Sequence, residues 1–185
     1  MEATKSRSSV DECRQLIRDI PDFPKKGVVF KDITPLLKNG PCFREVVDRI
    51  AAMCTANGLQ ADILACPEAR GFIFGSALAY RLGMGFVPIR KPRKLPYRTA
   101  HVEYQLEYGC DSVEMHTDAL VAGQRVLLVD DLLATGGTTA ACAELVESVG
   151  GRVVGCVFLV ELDFLKGRER ILKYPTFSLI HYPEP

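Results

Sequence analysis

The sequence predicts an α/β fold with a central, mostly parallel sheet flanked by helices. Three observations predict it. Short apolar runs alternate with stretches of helical periodicity: Asp62–Cys66, Gly71–Leu82 and Phe86–Arg90, then Arg125–Val129, Thr138–Val149 and Arg152–Val160. Arg125–Val129 is almost continuous Val and Leu, the composition of a parallel strand covered on both faces. Helices joining such strands make right-handed βαβ crossovers. Finally, the 185 residues are 48% hydrophobic and 25% charged, enough apolar material for one domain with a real core and unlike a disordered chain.

The elements follow in order. Residues 1–8 read as a disordered polar tail with no apolar stretch of the kind a signal peptide needs. Ser9-Val10-Asp11-Glu12 has capping-box form, and Cys13, Leu16, Ile17 and Ile20 follow at helical spacing. This helix is expected to run to about Ile20, where Pro21 and Pro24 bracket a turn. Gly27–Ile33 reads as a short extended segment and Pro35–Pro41 as a loop. Phe43, Val46, Val47, Ile50, Ala51 and Cys54 mark an amphipathic helix that stops at Asn57-Gly58. Gly83 and Gly150-Gly151 end the two later helices.

One stretch breaks the rhythm. After Lys91 comes a basic, Pro-rich loop. Val102, Tyr104, Leu106 and Tyr108 then share a face, and Ser112–His116 follow Gly109. This predicts an antiparallel hairpin inserted into the parallel sheet. The expected organisation is a tail over 1–8, an N-terminal helix and hood over 9–35, and a core over 36–185 with a mobile loop at 91–117.

Charge and cysteine content narrow the function classes. The 23 basic residues balance 23 acidic ones, so no global field draws the chain to nucleic acid or anionic lipid. No apolar run approaches the roughly 18 residues that span a bilayer. The seven cysteines form no CxxC pair and sit in apolar stretches. That pattern fits reduced, buried thiols and a cytoplasmic location. His101, His116 and His181 share no metal-ligand spacing.

The most informative segment is Val126-Leu-Leu-Val-Asp-Asp-Leu-Leu-Ala-Thr-Gly-Gly-Thr-Thr139. A buried strand ends at Val129, with Asp130 and Asp131 at its carboxyl end, where open α/β sheets bind ligands. The loop Ala134, Thr135, Gly136, Gly137, Thr138 follows, and a helix begins near Thr138. The glycines let the backbone approach an anion, and the helix start aims free N–H groups at it. This is a cradle for a monophosphate. The acid pair cannot favour that phosphate; it suits sugar hydroxyls or a hydrated Mg²⁺. A plain strand–helix turn explains the glycines but not the acids. Neither a GxxxxGK[ST] loop nor a GxGxxG fingerprint occurs.

That fourteen-residue segment closely resembles the phosphoribosyl-diphosphate (PRPP) signature of type I phosphoribosyltransferases. Asp22–Pro35, Glu68-Ala-Arg-Gly-Phe72, Arg90–Pro96, Leu106-Glu-Tyr-Gly109 and Leu159–Arg168 resemble, in the same order, the family's adenine-specific branch. The resemblance implies a type I phosphoribosyltransferase fold whose hood binds the base, and transfer of phosphoribosyl from PRPP to adenine, giving AMP and diphosphate with Mg²⁺. It implies that Asp130 and Asp131 bind the ribose and the loop 134–138 the 5′-phosphate. Glu68, Ala69, Arg70, Arg90, Lys91 and Lys94 fall to the diphosphate. Glu107 is the implied acid/base, although periodicity alone makes it a surface residue. Val29, Phe30, Lys31 and Leu162 line the implied adenine site. Magnesium is held chiefly by substrate, with Asp131 through water as the one protein candidate. A homodimer is implied, with no nucleic acid or membrane partner.

Cys66-Pro67 and Pro92-Arg93 depart from the family pattern beside the diphosphate residues. A transferase for another base, a PRPP- or purine-sensing regulator and a Rossmann-type redox enzyme are the competing readings. The missing fingerprint argues against the last, and the single short N-terminal helix against a DNA-reading regulator.

Overall fold

The computed structural model describes residues 9–105 and 110–185. The chain begins with α1 (Val10–Gln15), whose Ser9 cap accepts from the Glu12 N–H at 3.1 Å while Glu12 accepts from the Ser9 N–H at 2.9 Å. The predicted box is thus present, but the helix stops five residues short of Ile20. Arg18–Ile20 instead forms β1, antiparallel to β2 (Phe30–Asp32). Two register partners explain the correction. Arg18 donates to Asp32 at 2.6 and 3.1 Å, and Lys31 meets Asp19 at 2.9 Å. Cross-strand ion pairs override the weak helical preference of a short end segment.

The expected loop 35–41 is also corrected. It holds α2 (Thr34–Lys38) and the start of α3 (Gly40–Ala56), each with a proline in its first turn, where the missing N–H costs nothing. The Asn39 side chain caps α3 by accepting from the Cys42 N–H at 3.1 Å.

The sheet then builds through β3 (Ile63–Pro67), α4 (Arg70–Leu82) and β4 (Gly85–Ile89). A hairpin follows, with β5 (Thr99–Gln105) and β6 (Cys110–His116). The rest is β7 (Arg125–Leu133), α5 (Gly137–Ser148), β8 (Arg152–Leu162) and β9 (Thr176–Tyr182). The strand order is β4-β3-β7-β8-β9, all parallel. The hairpin is not inserted into this sheet. It is a separate antiparallel pair, joined to the sheet edge by the bridge Arg90–Glu114 and packed against α5. Leu106, Glu107, Tyr108 and Gly109 lie outside the described residues.

The central strand β7 buries both faces. Leu127 and Val129 pack with α3 and α4; Val126 and Leu128 pack with α5 and the hairpin. Cys13, Cys42, Cys54, Cys66, Cys142 and Cys156 are unpaired and buried. No helix among the described residues is long and apolar enough to cross a membrane.

Candidate active site

A cavity of about 260 Å³ opens at the carboxyl ends of β3 and β7. The sheet, not the local sequence, creates it. Crossovers carry the chain away from both strand ends and leave the following loops facing each other. Glu68, Ala69, Arg70, Arg90, Lys91, Asp130, Asp131, Ala134, Thr135, Gly136, Gly137 and Thr138 all line it. Residues 61 positions apart in sequence, Arg70 and Asp131, meet at 3.1 Å.

The loop after β7 is shaped by backbone contact. Gly136 has φ +78° and caps α5 from the left-handed region. A Cβ there would lie 2.3 Å from the Gly167 carbonyl oxygen, so only glycine fits. From this turn α5 points its first N–H groups at the cavity, which suits an anion.

The acid pair differs from its predicted form. Strand β7 continues through both acids to Leu133, and they are not two free carboxylates. Asp131 is 3% exposed, and Asp130 Oδ1 accepts from the Asp131 N–H at 2.8 Å. Gly71 makes room for Asp130: a Cβ there would lie 2.9 Å from its Oδ1. Burial, then the adjacent Asp131 charge, pushes the Asp130 carboxyl well above its ordinary value. Burial also raises Asp131, with the Arg70 guanidinium pulling the other way.

Arg70, the first residue of α4, is the junction of the site. Its Nε pairs with Asp131, and its guanidinium lies 5.0 Å from the centre of the Phe30 ring. Its Nη1 is buried without a hydrogen-bond partner among the described residues. A buried guanidinium nitrogen left unpaired is expensive, and an anionic oxygen in the cavity would satisfy it.

The remaining cations are held by counter-ions. Glu68 accepts from Arg90 Nε at 2.8 Å and from the Lys91 N–H at 2.9 Å. Burial works to raise Glu68, but these donors outweigh it and hold the carboxyl below its ordinary value. Lys91 pairs with Asp111, and Asp111 also accepts from the Tyr104 hydroxyl at 3.1 Å. Tyr104 in turn lies 3.3 Å from the Thr138 hydroxyl, tying the hairpin to the phosphate loop. Sequence reasoning missed Asp111 and Tyr104. Nothing along a strand marks which polar residue will face a loop 20 or 34 positions away.

Five predicted residues stand apart from the cavity wall. Lys94 is exposed, and its carbonyl accepts from Arg90 Nη1 at 3.1 Å. Lys31 is 5% exposed, its side chain held by Asp19 and stacked over Tyr182. Leu162 is buried at the end of β8, and Val29 precedes β2. Phe30, also off the wall, adjoins it through Arg70. Glu107 lies outside the described residues.

Against this geometry the comparisons are decisive. Residues 36–182 match the phosphoribosyl transferase domain model. The chain belongs to the phosphoribosyltransferase family. It is 58% identical over 167 residues to an adenine phosphoribosyltransferase of a Roseiflexus species, covering 90% of this chain and 96% of that one. The crystal structure of adenine phosphoribosyltransferase from Thermoanaerobacter pseudethanolicus superposes with a TM-score of 0.91 at 55% identity, covering 94% and 100% of the two chains. The Saccharomyces cerevisiae enzyme, crystallised with an imino-altritol bisphosphate and adenine, gives 0.87 at 39% identity over 92% and 97%. Within the phosphoribosyltransferases this chain sits with the adenine enzymes, and its five-stranded parallel sheet with a separate hairpin is the type I fold.

Proposed function

We propose that this phosphoribosyltransferase converts adenine and PRPP to AMP and diphosphate. The purine N9–C1′ bond forms, the C1′–oxygen bond to diphosphate breaks, and a proton leaves the imidazole side of the purine. The observation that carries the reading is the orphaned, buried Arg70 Nη1, set between the acid pair and the Phe30 ring. A donor so placed suits a leaving diphosphate at the side of the cavity nearest a stacked base.

The roles follow. Backbone N–H groups of Ala134–Thr138 hold the 5′-phosphate, with hydroxyls from Thr135 and Thr138. Asp130 and Asp131 accept from the ribose hydroxyls. Arg70, Arg90, Lys91 and Lys94 take the diphosphate; Glu68 works by holding Arg90 and Lys91 in place. Phe30 and Leu162 enclose the adenine, and the backbone at Val29 and Lys31 reads its edge. Backbone reading favours adenine because a 6-oxopurine would leave those groups unpaired. Glu107 takes the imidazole proton. The C1′ centre passes through an oxocarbenium-like state by analogy with glycosyl transfer.

The cavity's hard oxygen donors fit Mg²⁺, with Asp131 acting through water because Arg70 already occupies one side of its carboxylate. When bound, the ion neutralises charge on the leaving group. The working form is a homodimer in the cytoplasm, a place consistent with six unpaired buried thiols.

Chromatography of products from PRPP and Mg²⁺ with adenine, hypoxanthine, guanine, xanthine or uracil tests the reading. AMP from adenine alone is expected. Nucleotide from another base, or none from any, overturns it. Full turnover by Glu107→Gln removes the role given to Glu107.

A further inference from the structure

The loop Ala134–Thr138 contains no cationic side chain, yet a phosphate monoester near neutral pH carries between one and two negative charges. Three of the cations assigned so far are engaged elsewhere, Arg70 with Asp131, Arg90 with Glu68 and Lys91 with Asp111, and Lys94 is exposed off the cavity wall. Another cation lies beside the loop, contributed by a distant part of the chain.

The 3₁₀ turn Gly167–Arg170 packs backbone to backbone against the phosphate loop. A Cβ on Gly136 would lie 2.3 Å from the Gly167 oxygen, and a Cβ on Gly167 would lie 2.2 Å from the Ala134 oxygen. The turn is anchored from behind. Arg168 grips the buried Glu161 carboxylate at 2.6 and 2.7 Å and donates to the Thr176 carbonyl at 2.7 Å. Position and orientation are therefore fixed before Arg170 leaves the backbone.

From that platform the Arg170 side chain runs along the loop. Its Cβ lies 3.3 Å from where a Gly136 Cβ would stand, and its Nη1 lies 3.3 Å from where a Gly137 Cβ would stand. The Thr135 hydroxyl lies 3.9 Å from that same Gly137 position. Gly137 itself lines the cavity. Arg170 has no ion pair with any described residue. The neighbouring Arg168 is consumed by its anchor; Arg170 is not.

We infer that Arg170 is a further binding residue for the substrate's 5′-phosphate, supplying the charge that the loop lacks. The inference rests on the PRPP reading above. The N–H cradle fixes where the phosphate sits, and the guanidinium adds a charge-assisted contact from the side Gly137 leaves open.

Binding of ribose 5-phosphate and of diphosphate, each measured alone by calorimetry on wild type, Arg170→Ala and Arg170→Lys, tests it. The alanine variant should bind ribose 5-phosphate about tenfold more weakly and raise KM for PRPP to match, with kcat little changed. Diphosphate affinity should stay as in wild type, and lysine should recover most of the loss. Unchanged ribose 5-phosphate affinity in Arg170→Ala overturns the inference while leaving the PRPP reading intact. An equal loss of diphosphate affinity also overturns it, because the effect would then be a general disturbance of the site. A wild-type protein that binds neither ligand and makes no AMP removes both.

Discussion

The two walls of the cavity are built on opposite principles. The wall formed by β7, its loop and α5 is held by close backbone contact: Gly136 against the Gly167 carbonyl, Gly71 against the Val129 carbonyl. The facing wall, from Glu68 through Arg90 and Lys91 to Asp111, is held by exchangeable ion pairs. The first kind of wall tolerates almost no added atom where its glycines touch their neighbours. The second keeps cations oriented by giving them counter-ions that a stronger anion can replace. A pre-shaped cradle beside a charge-exchanging wall suits a substrate with one phosphate that stays and a diphosphate that leaves.

Breaking the backbone wall should have the largest effect. Gly136→Ala places a methyl on the Gly167 carbonyl and in a left-handed backbone; the backbone alone costs on the order of 1–3 kcal/mol. Thermal melting should drop by several degrees, and AMP formation should fall below detection. Retained activity would show that the contact between loop and turn yields easily.

Arg70→Ala comes next. Removing the orphaned donor should lower kcat by roughly 100–1000-fold, the usual loss when one preorganised charge stabiliser is deleted. A change in KM for PRPP without a change in kcat would instead make Arg70 a ground-state binder.

The walls should also respond to pH in opposite directions. Asp130 is raised in the folded state, so the folded protein binds more protons between the unfolded and folded values. Its contribution therefore falls as pH rises through that window. Asp130→Asn should raise the melting temperature at pH 8 by a few degrees, equivalent to about 1–2 kcal/mol, while weakening PRPP binding. Glu68 is lowered, so its stabilisation is present above the unfolded value and is lost as pH falls through the folded one. Glu68→Gln should have the smallest effect, below about 1 kcal/mol at neutral pH, and should flatten the acid limb of a stability profile. Two variants shifting the same limb would merge the walls into one electrostatic unit.

Much of this protein could be read along the chain because its main site is local. The strand, acid pair, glycine turn and helix start occupy one continuous stretch, 126–139, and each step follows from its own residue types. Elements without such a local signature were lost. Strand β9 buries only Ile180 fully and lies at the sheet edge, so its mixed pattern carries no clear period. Strand β1 was hidden inside helical spacing, because the pairs that make it a strand, Arg18 with Asp32 and Lys31 with Asp19, join segments a dozen residues apart.

The sequence by itself therefore determined the sheet's alternation, the cradle for an anion and the family. Those depend on hydrophobic period, glycine freedom and short-range order. Only the tertiary structure decided that Glu68 is a counter-ion, that Arg70 keeps an unpaired nitrogen, and that the turn at Gly167 sits under Gly136. Each of these depends on which distant groups share a few ångströms. That is set by how the crossovers return the chain to the sheet, and no local pattern encodes it.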